Sequence, residues 1–215
     1  MKEKKTKLYK WFRFMRGVYF GFASLVYPIK KHGHTQRFDD RSYIIVGNHK
    51  SVLDVVPLAI CTHEPVYFMA KKELAEKKIG RWFTKKCECI LVSRDGNDAR
   101  AIMQAMKYLK EGKILGIFPE GTRNKTDELF LPFKSGAAAH AIKTRTPVVL
   151  MVQTKKMKAF RKSHVYYSEP FEFTEFYDKK LTPDDVARAD EILLEKMTAA
   201  YRELEKILNS KKKKK

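Results

Sequence analysis

Short apolar runs recur along this sequence, and helical patterns or polar turns separate them. The clearest runs are residues 43–46, 66–70, 90–93, 114–117 and 147–153. A strand buried in a parallel sheet is typically a near-continuous apolar run, and helices connect such strands. The alternation therefore predicts an α/β fold with a largely parallel core, to which 165–167 adds a late strand at a possible edge.

The first run ends in a polar stretch that contains a histidine and an aspartate, Gly47-Asn48-His49-Lys50-Ser51-Val52-Leu53-Asp54. Imidazole moves protons near neutral pH, and a carboxylate can orient it. On one helix, five residues would place the two side chains roughly 140° apart. They can therefore meet only if His49 precedes the helix, which Pro57 supports as a first-turn residue. The alternative is that Ser51 is an N-cap and Asp54 a first-turn acid.

A second polar cluster, Phe118-Pro119-Glu120-Gly121-Thr122-Arg123-Asn124, follows the run at 114–117. Glycine permits close backbone approach, threonine supplies a hydroxyl, and the arginine fork matches phosphate oxygens. A single such turn is typical of a strand end with a solvated arginine. Two polar clusters after two core strands favour a site, because open α/β sheets keep their sites where the strands end.

The formal net charge is +20 and the isoelectric point is about 9.8. Such a charge favours nucleic acid, anionic lipid or a phosphorylated substrate as partner, and it does not choose among them. The three cysteines, Cys61, Cys87 and Cys89, do not have the spacing of a disulfide framework or a structural zinc site. The chain contains no nucleotide-binding glycine loop and no nucleophile elbow, which argues against a nucleotide enzyme or an α/β-hydrolase.

The aromatic-rich segment 8–29 is expected to associate with a membrane. Its uncharged part, 17–29, would form a helix about 20 Å long, too short for a hydrocarbon core of about 30 Å. An interfacial or partly inserted amphipathic helix fits better, and the alternative is a helix of the core. Residues 30–41 are interpreted as a polar linker. The predicted organisation is a membrane-associating segment at 1–31, a domain at 32–210 and a poly-lysine tail at 211–215.

Two motifs together resemble a known family. Asn-His-x4-Asp at 48–54 followed by Phe-Pro-Glu-Gly-Thr-Arg at 118–123 resembles the 1-acyl-glycerol-3-phosphate acyltransferases, or lysophosphatidic acid acyltransferases. Weaker matches are residues 70–74, 90–94 and 131–138. The resemblance implies a glycerolipid acyltransferase-like fold, with a mixed central sheet flanked by helices.

The resemblance also implies a reaction. A fatty acyl group would move from acyl-CoA or acyl-carrier protein to the sn-2 hydroxyl of 1-acyl-glycerol-3-phosphate, giving phosphatidic acid for phospholipid biosynthesis. His49 would be the base and Asp54 would orient it. The expected phosphate site consists of Arg94, Glu120, Gly121, Thr122 and Arg123, with Lys71 as a further candidate. No metal or cofactor is expected, and the expected location is the cytoplasmic face of the cell membrane, peripheral or monotopic.

Two alternatives remain open at this point. The sequence departs from the family pattern at Glu88, Asn124 and Leu150, which leaves another lysolipid or an amino-lipid possible as acceptor. The net charge also fits a non-enzymatic basic protein that binds nucleic acid or an anionic membrane. No motif of the usual DNA or RNA modules is present, so nucleic acid is not expected as a partner.

Overall fold

The structure is a computed structural model that describes residues 7–34, 36, 38, 41–93, 98–134 and 136–212. The strands are β1 (Ile29–Gly33), β2 (Ile44–Gly47), β3 (Val66–Lys71), β4 (Ile90–Val92), β5 (Ile114–Ile117), β6 (Val148–Gln153) and β7 (Ser163–Tyr167). The α-helices are α1 (Lys7–Val18), α2 (Ser24–Val26), α3 (Val55–Ile60), α4 (Lys78–Lys86), α5 (Ala99–Lys110), α6 (Ala137–Thr144) and α7 (Pro183–Lys212). A π-helical turn, Tyr19–Ala23, joins α1 to α2, and 3-10 helices occupy Val52–Asp54, Lys72–Glu76 and Thr174–Phe176.

The strands form one sheet in the order β1-β7-β6-β2-β5-β3-β4. The five strands from β6 to β4 are parallel to one another, whereas β7 runs antiparallel to β6 and β1 runs parallel to β7. The sheet is therefore mixed and largely parallel, as predicted. Because β2, β5, β3 and β4 point the same way, their carboxyl ends lie at one edge of the sheet.

Strand β1 corrects two sequence-based interpretations. Residues 30–33 belong to the sheet and not to a linker, and β7 lies between β1 and β6 instead of at an edge. A charged strand is a common way to end a sheet, and Lys30 and Lys31 obscured its hydrophobic pattern. Within β1, His32 is buried and its Nε2 lies 2.8 Å from Nδ1 of His164 on β7.

The sheet has a hydrophobic cluster on each face. One cluster contains buried apolar residues from α5, α6 and α7, and the other contains Leu58 of α3. Helix α7 begins with a capping box: Thr182 Oγ1 accepts the Asp185 N–H at 3.2 Å, and Asp185 Oδ2 accepts the Thr182 N–H at 3.0 Å. Its buried face then covers the sheet over the residues Ala189, Leu193, Met197, Ala200 and Leu204.

The N-terminal helical segment, 7–26, packs on the domain by some side chains and exposes others. Leu8 and Tyr19 are buried, and the Arg16 guanidinium donates to the backbone oxygen of Thr62. Exposed apolar side chains recur at helical spacing on the outer side, at Phe14, Val18, Phe22 and Leu25. Among the described residues, no helix combines the length and the apolar character needed to cross a bilayer.

Candidate active site

The position of His49 is set by the end of β2. A Cβ atom at Gly47 would lie 2.7 Å from Cε of Met151 and 2.9 Å from Cδ1 of Leu58, so glycine lets these two side chains pack directly against the end of β2. The buried side chain of Asn48 then continues the ladder between these strands. Its Nδ2 donates to Gln153 O at 2.9 Å, and its Oδ1 accepts the Gln153 N–H at 3.0 Å. This clasp fixes the backbone from which the His49 side chain starts.

The His49 ring is oriented by the side chain of Asp54. Nδ1 of His49 lies 3.0 Å from Oδ2 of Asp54, and the Asp54 side chain is fully buried. An ionised carboxylate only accepts hydrogen bonds, so Nδ1 carries the proton and Nε2 presents a lone pair. The ring also stacks on Phe118, with centroids 4.1 Å apart and planes 16° apart. The His49 ring is therefore held so that Nε2 is the nitrogen left to accept a proton.

The same carboxylate caps the helix that follows. Oδ2 of Asp54 accepts the backbone N–H groups of Lys50 at 2.5 Å and Ser51 at 2.6 Å. The Ser51 hydroxyl accepts the Leu53 N–H at 3.3 Å, which completes a capping box at the start of the 3-10 helix. His49 thus lies in the turn before the helix, as the spacing required. The capping interpretation and the orienting interpretation of Asp54 both describe the structure.

The second polar cluster is bonded directly to the histidine. Glu120 Oε1 accepts the His49 N–H at 2.8 Å, and its Oε2 accepts the Leu131 N–H at 3.0 Å. In return, the Asn124 N–H donates to His49 O at 2.7 Å. Glu120 is 1% exposed, so both of its oxygens are committed to backbone donors inside the protein. The turn at 118–124 and the turn at His49 therefore form one unit.

The other residues expected to bind phosphate lie at the carboxyl ends of neighbouring strands. Gly121, Thr122 and Arg123 are exposed in the turn after β5, and Gly121 has a φ of +61° that favours glycine. Lys71 is the exposed last residue of β3, and β5 separates it from β2. Arg94 lies outside the described residues. The described candidates therefore share an edge with His49.

Three features of the site were not evident from the sequence. The hydrogen bonds between Asn48 and Gln153 join residues 105 positions apart, so no local sequence pattern predicts them. In the sequence Phe118 is interpreted as the end of a strand, whereas in the structure its ring stacks on the imidazole of His49. The Asn124 side chain bonds within its own loop, because Oδ1 accepts the Thr126 N–H at 3.0 Å and Nδ2 donates to Glu128 O at 2.8 Å.

Comparisons with known proteins identify the family and agree with the fold. The acyltransferase family model matches residues 28–153. A 1-acyl-sn-glycerol-3-phosphate acyltransferase of Helicobacter pylori is 37% identical over 127 residues, which are 57% of this chain and 53% of that protein. The enzyme of the same name from Bacillus subtilis is 36% identical over 111 residues, which are 51% of this chain and 54% of that protein. The chain spans about half the length of these curated relatives.

A solved structure extends the comparison to nearly the whole chain. The crystal structure of the 1-acyl-sn-glycerophosphate acyltransferase from Thermotoga maritima has a TM-score of 0.60 and 21% sequence identity, and the match covers 93% of this chain and 94% of that one. At this identity the likeness confirms the fold. The family model covers more than half of the sequence, including both polar clusters. The chain therefore belongs to the acyltransferase family.

Proposed function

We propose that this protein transfers a fatty acyl group from an acyl thioester to the sn-2 hydroxyl of 1-acyl-glycerol-3-phosphate, giving phosphatidic acid. The observation that carries the proposal is the unit formed by His49, Asp54 and the turn at 118–124. It sets a proton acceptor beside an exposed arginine and an exposed threonine. The acyl donor is acyl-CoA or acyl-carrier protein, whose phosphates or acidic surface suit the net charge of +20.

The proposed reaction is a direct attack in a ternary complex. Nε2 of His49 takes the proton of the acceptor hydroxyl as its oxygen attacks the thioester carbonyl. The new C–O bond forms, the C–S bond breaks, and the imidazolium returns the proton to the departing thiolate. The Asp54 carboxylate stabilises the imidazolium between these steps. No acyl-enzyme, metal or cofactor takes part, because the thioester already activates the acyl group.

Recognition of the glycerol phosphate is assigned to the cationic side chains at this edge. Arg123 supplies a fork for two phosphate oxygens, and Thr122 supplies a hydroxyl. Lys71 and Arg94 are proposed as further phosphate ligands. Gly121 is proposed to let the phosphate approach the backbone closely, because its own N–H already donates to Phe118 O at 3.0 Å. We assign Glu120 an indirect part in phosphate binding, since its buried carboxylate fixes the turn that presents Arg123.

Two of the departures from the family pattern do not favour a different acceptor. Leu150 is 2% exposed within β6, and Asn124 directs its side chain into its own loop. Both therefore belong to the scaffold. A purely binding role, which the net charge alone would allow, accounts for Asp54 as a helix cap but gives no reason for a histidine that shares the same carboxylate. These features support acyl transfer to a glycerol phosphate.

We further propose that the enzyme is peripheral or monotopic on the cytoplasmic face of the cell membrane. The exposed apolar face of the N-terminal helical segment, at Phe14, Val18, Phe22 and Leu25, would lie in the interfacial region. Lys10, Arg13 and other flanking cations would face anionic headgroups. The lysophosphatidic acid acceptor resides in such a surface, so this location brings enzyme and acceptor together.

The decisive test is turnover by the purified protein and its His49→Ala variant. Acyl-CoA and acyl-carrier protein are offered as donors against a panel of lysolipids, and 1-acyl-glycerol-3-phosphate is expected to be the preferred acceptor. Loss of the base should lower kcat by about 10²–10⁴-fold, while the melting temperature stays near that of wild type because the ring is partly exposed. Retained turnover in the variant would remove His49 from the proposed role.

A further inference from the structure

The loop between β6 and β7, residues 154–162, presents a phenylalanine at its tip. The Arg161 N–H donates to Lys158 O at 3.2 Å, which closes a turn over Ala159 and Phe160. Phe160 is 79% exposed, and Met157 is the buried residue that anchors the loop. A large apolar ring therefore projects into solvent from a tight turn.

The backbone at this tip is the kind that favours glycine. Phe160 has a φ of +57°, in the left-handed region where a bulky side chain is an outlier. Such a conformation costs folding free energy, and a ring exposed this far regains little of it by packing. Phenylalanine at this position therefore does not stabilise the folded chain. A contact between its ring and another molecule would explain why it is there.

The tip lies against the end of the N-terminal helical segment. The Phe160 N–H donates to Val26 O at 2.6 Å, and the Ser163 N–H donates to Pro28 O at 2.8 Å. Just before Val26, the side chains of Phe22 and Leu25 are each 72% exposed. The ring at the turn and the exposed apolar side chains at the helix end are therefore neighbours, although they come from distant parts of the sequence.

The loop is also strongly basic. It contains five exposed cations, Lys155, Lys156, Lys158, Arg161 and Lys162. No acidic residue occurs between Gln153 and Glu169, and within the described part of the chain none of the five forms a salt bridge. An apolar tip surrounded by unpaired cations is complementary to an anionic lipid surface, where each lysine adds to the attraction.

We propose that this turn is a second membrane contact, in which Phe160 enters the interfacial region of an anionic bilayer while the five cations meet its headgroups. The inference rests on the proposed membrane association of the N-terminal segment and extends it to a separate part of the fold. Continuity with the exposed helix end favours lipid over an acidic carrier protein, whose docking needs no adjoining apolar helix.

The contact would also orient the active site. The loop leaves β6 at Gln153, whose backbone is clasped by Asn48, the residue before His49. A bilayer that holds the turn therefore lies near the sheet edge that carries the imidazole. The acceptor could then reach His49 without leaving the membrane surface.

The test uses Phe160→Gly in the full chain. Glycine suits the backbone at this position, so the melting temperature should equal or exceed that of wild type. Sedimentation with vesicles of phosphatidylcholine and phosphatidylglycerol should show that this variant binds about tenfold or more weakly than wild type. The Phe160→Trp variant, which keeps an aromatic ring at the tip, should bind the vesicles like wild type. Met103→Ala is the matched control, because Met103 is 69% exposed on α5 and its loss should leave vesicle binding unchanged.

The possible outcomes distinguish failure of this second contact from failure of the proposed membrane association and of the proposed activity. If the wild-type protein does not bind the vesicles, membrane association itself is wrong. If removal of Phe22 and Leu25 weakens binding but Phe160→Gly does not, only the second contact is wrong. A lower melting temperature in Phe160→Gly, or a raised KM for acyl-carrier protein with unchanged vesicle binding, would equally overturn it. With a short-chain soluble acceptor, Phe160→Gly should keep the wild-type kcat, which the His49→Ala variant should not.

Discussion

Replacing Asp54 by asparagine tests whether the charge of this side chain serves the reaction. Oδ2 of Asp54 accepts three hydrogen bonds, whereas Oδ1 is buried without a partner among the described residues. The amide oxygen of asparagine can take the place of Oδ2 and leave its NH₂ group at the unpartnered position. The substitution therefore preserves the shape of the turn and removes the negative charge.

The size of the effect follows from the geometry. During the reaction the His49 ring becomes a cation whose Nδ1 lies 3.0 Å from the carboxylate oxygen. At an effective dielectric constant of about 20, two unit charges at that distance attract by about 5 kcal/mol. The amide dipole of asparagine keeps part of this attraction. We therefore expect kcat to fall between about 100-fold and 10,000-fold, since each 1.36 kcal/mol or so is a factor of ten.

The assay is steady-state transfer to 1-acyl-glycerol-3-phosphate, together with denaturant unfolding of each variant. Ser51→Ala is the matched control, because it removes the other cap of the same helix without touching the His49 ring. It should lower the free energy of unfolding by about 1 kcal/mol and leave kcat nearly unchanged. A kcat for Asp54→Asn close to wild type, or equal losses in both variants, would refute the electrostatic role of Asp54.

Three further substitutions test other parts of the structure. Arg123→Ala should raise the KM for the acceptor about tenfold or more, because a charge-assisted bond to phosphate is lost; an unchanged KM would remove Arg123 from the phosphate site. Glu120→Gln leaves one acceptor oxygen for two backbone donors, so the free energy of unfolding should fall by about 1–3 kcal/mol in denaturant titrations. Burial lowers the pKa of His140 to about 4 from its ordinary value of 6.5. Between these two pH values the unfolded chain binds a proton at His140 that the folded chain does not, so the free energy of unfolding of wild type should fall by about 3 kcal/mol as the pH falls from 6.5 to 4. His140→Leu should lack this loss, and an unchanged slope in unfolding curves across that range would show that another group causes it.

The sequence predicts the interior of this fold better than its border. Strands β2, β3, β5 and β6 are apolar runs because both faces of the sheet are covered, and their identification follows from composition alone. Within the described residues, strand β1 pairs with one strand, β7, and it joins the sheet through backbone hydrogen bonds that any residue can make. A charged strand of this kind carries no hydrophobic signal, which is why residues 30–33 resembled a linker.

The site shows a similar division. That His49, Lys71 and the turn at 118–124 share an edge follows from the parallel direction of their strands, once the strands are known. The function of Glu120 does not follow, because a glutamate beside glycine, threonine and arginine looks like part of a ligand site. Only the backbone donors of His49 and Leu131 show that its carboxylate is used internally.

The spacing of His49 and Asp54 explains why a capping motif can serve catalysis here. A carboxylate that caps a helix must point back toward the preceding turn, where the orphan N–H groups of Lys50 and Ser51 lie. A histidine at the start of that turn meets the same oxygen without any further adjustment. The two backbone bonds hold Asp54 in position whether or not the ring is charged, so the imidazolium forms beside a carboxylate that does not have to reorganise. Helix capping, which gives an ordinary explanation of Asp54 in the sequence, is thus also what holds its carboxylate in place for His49.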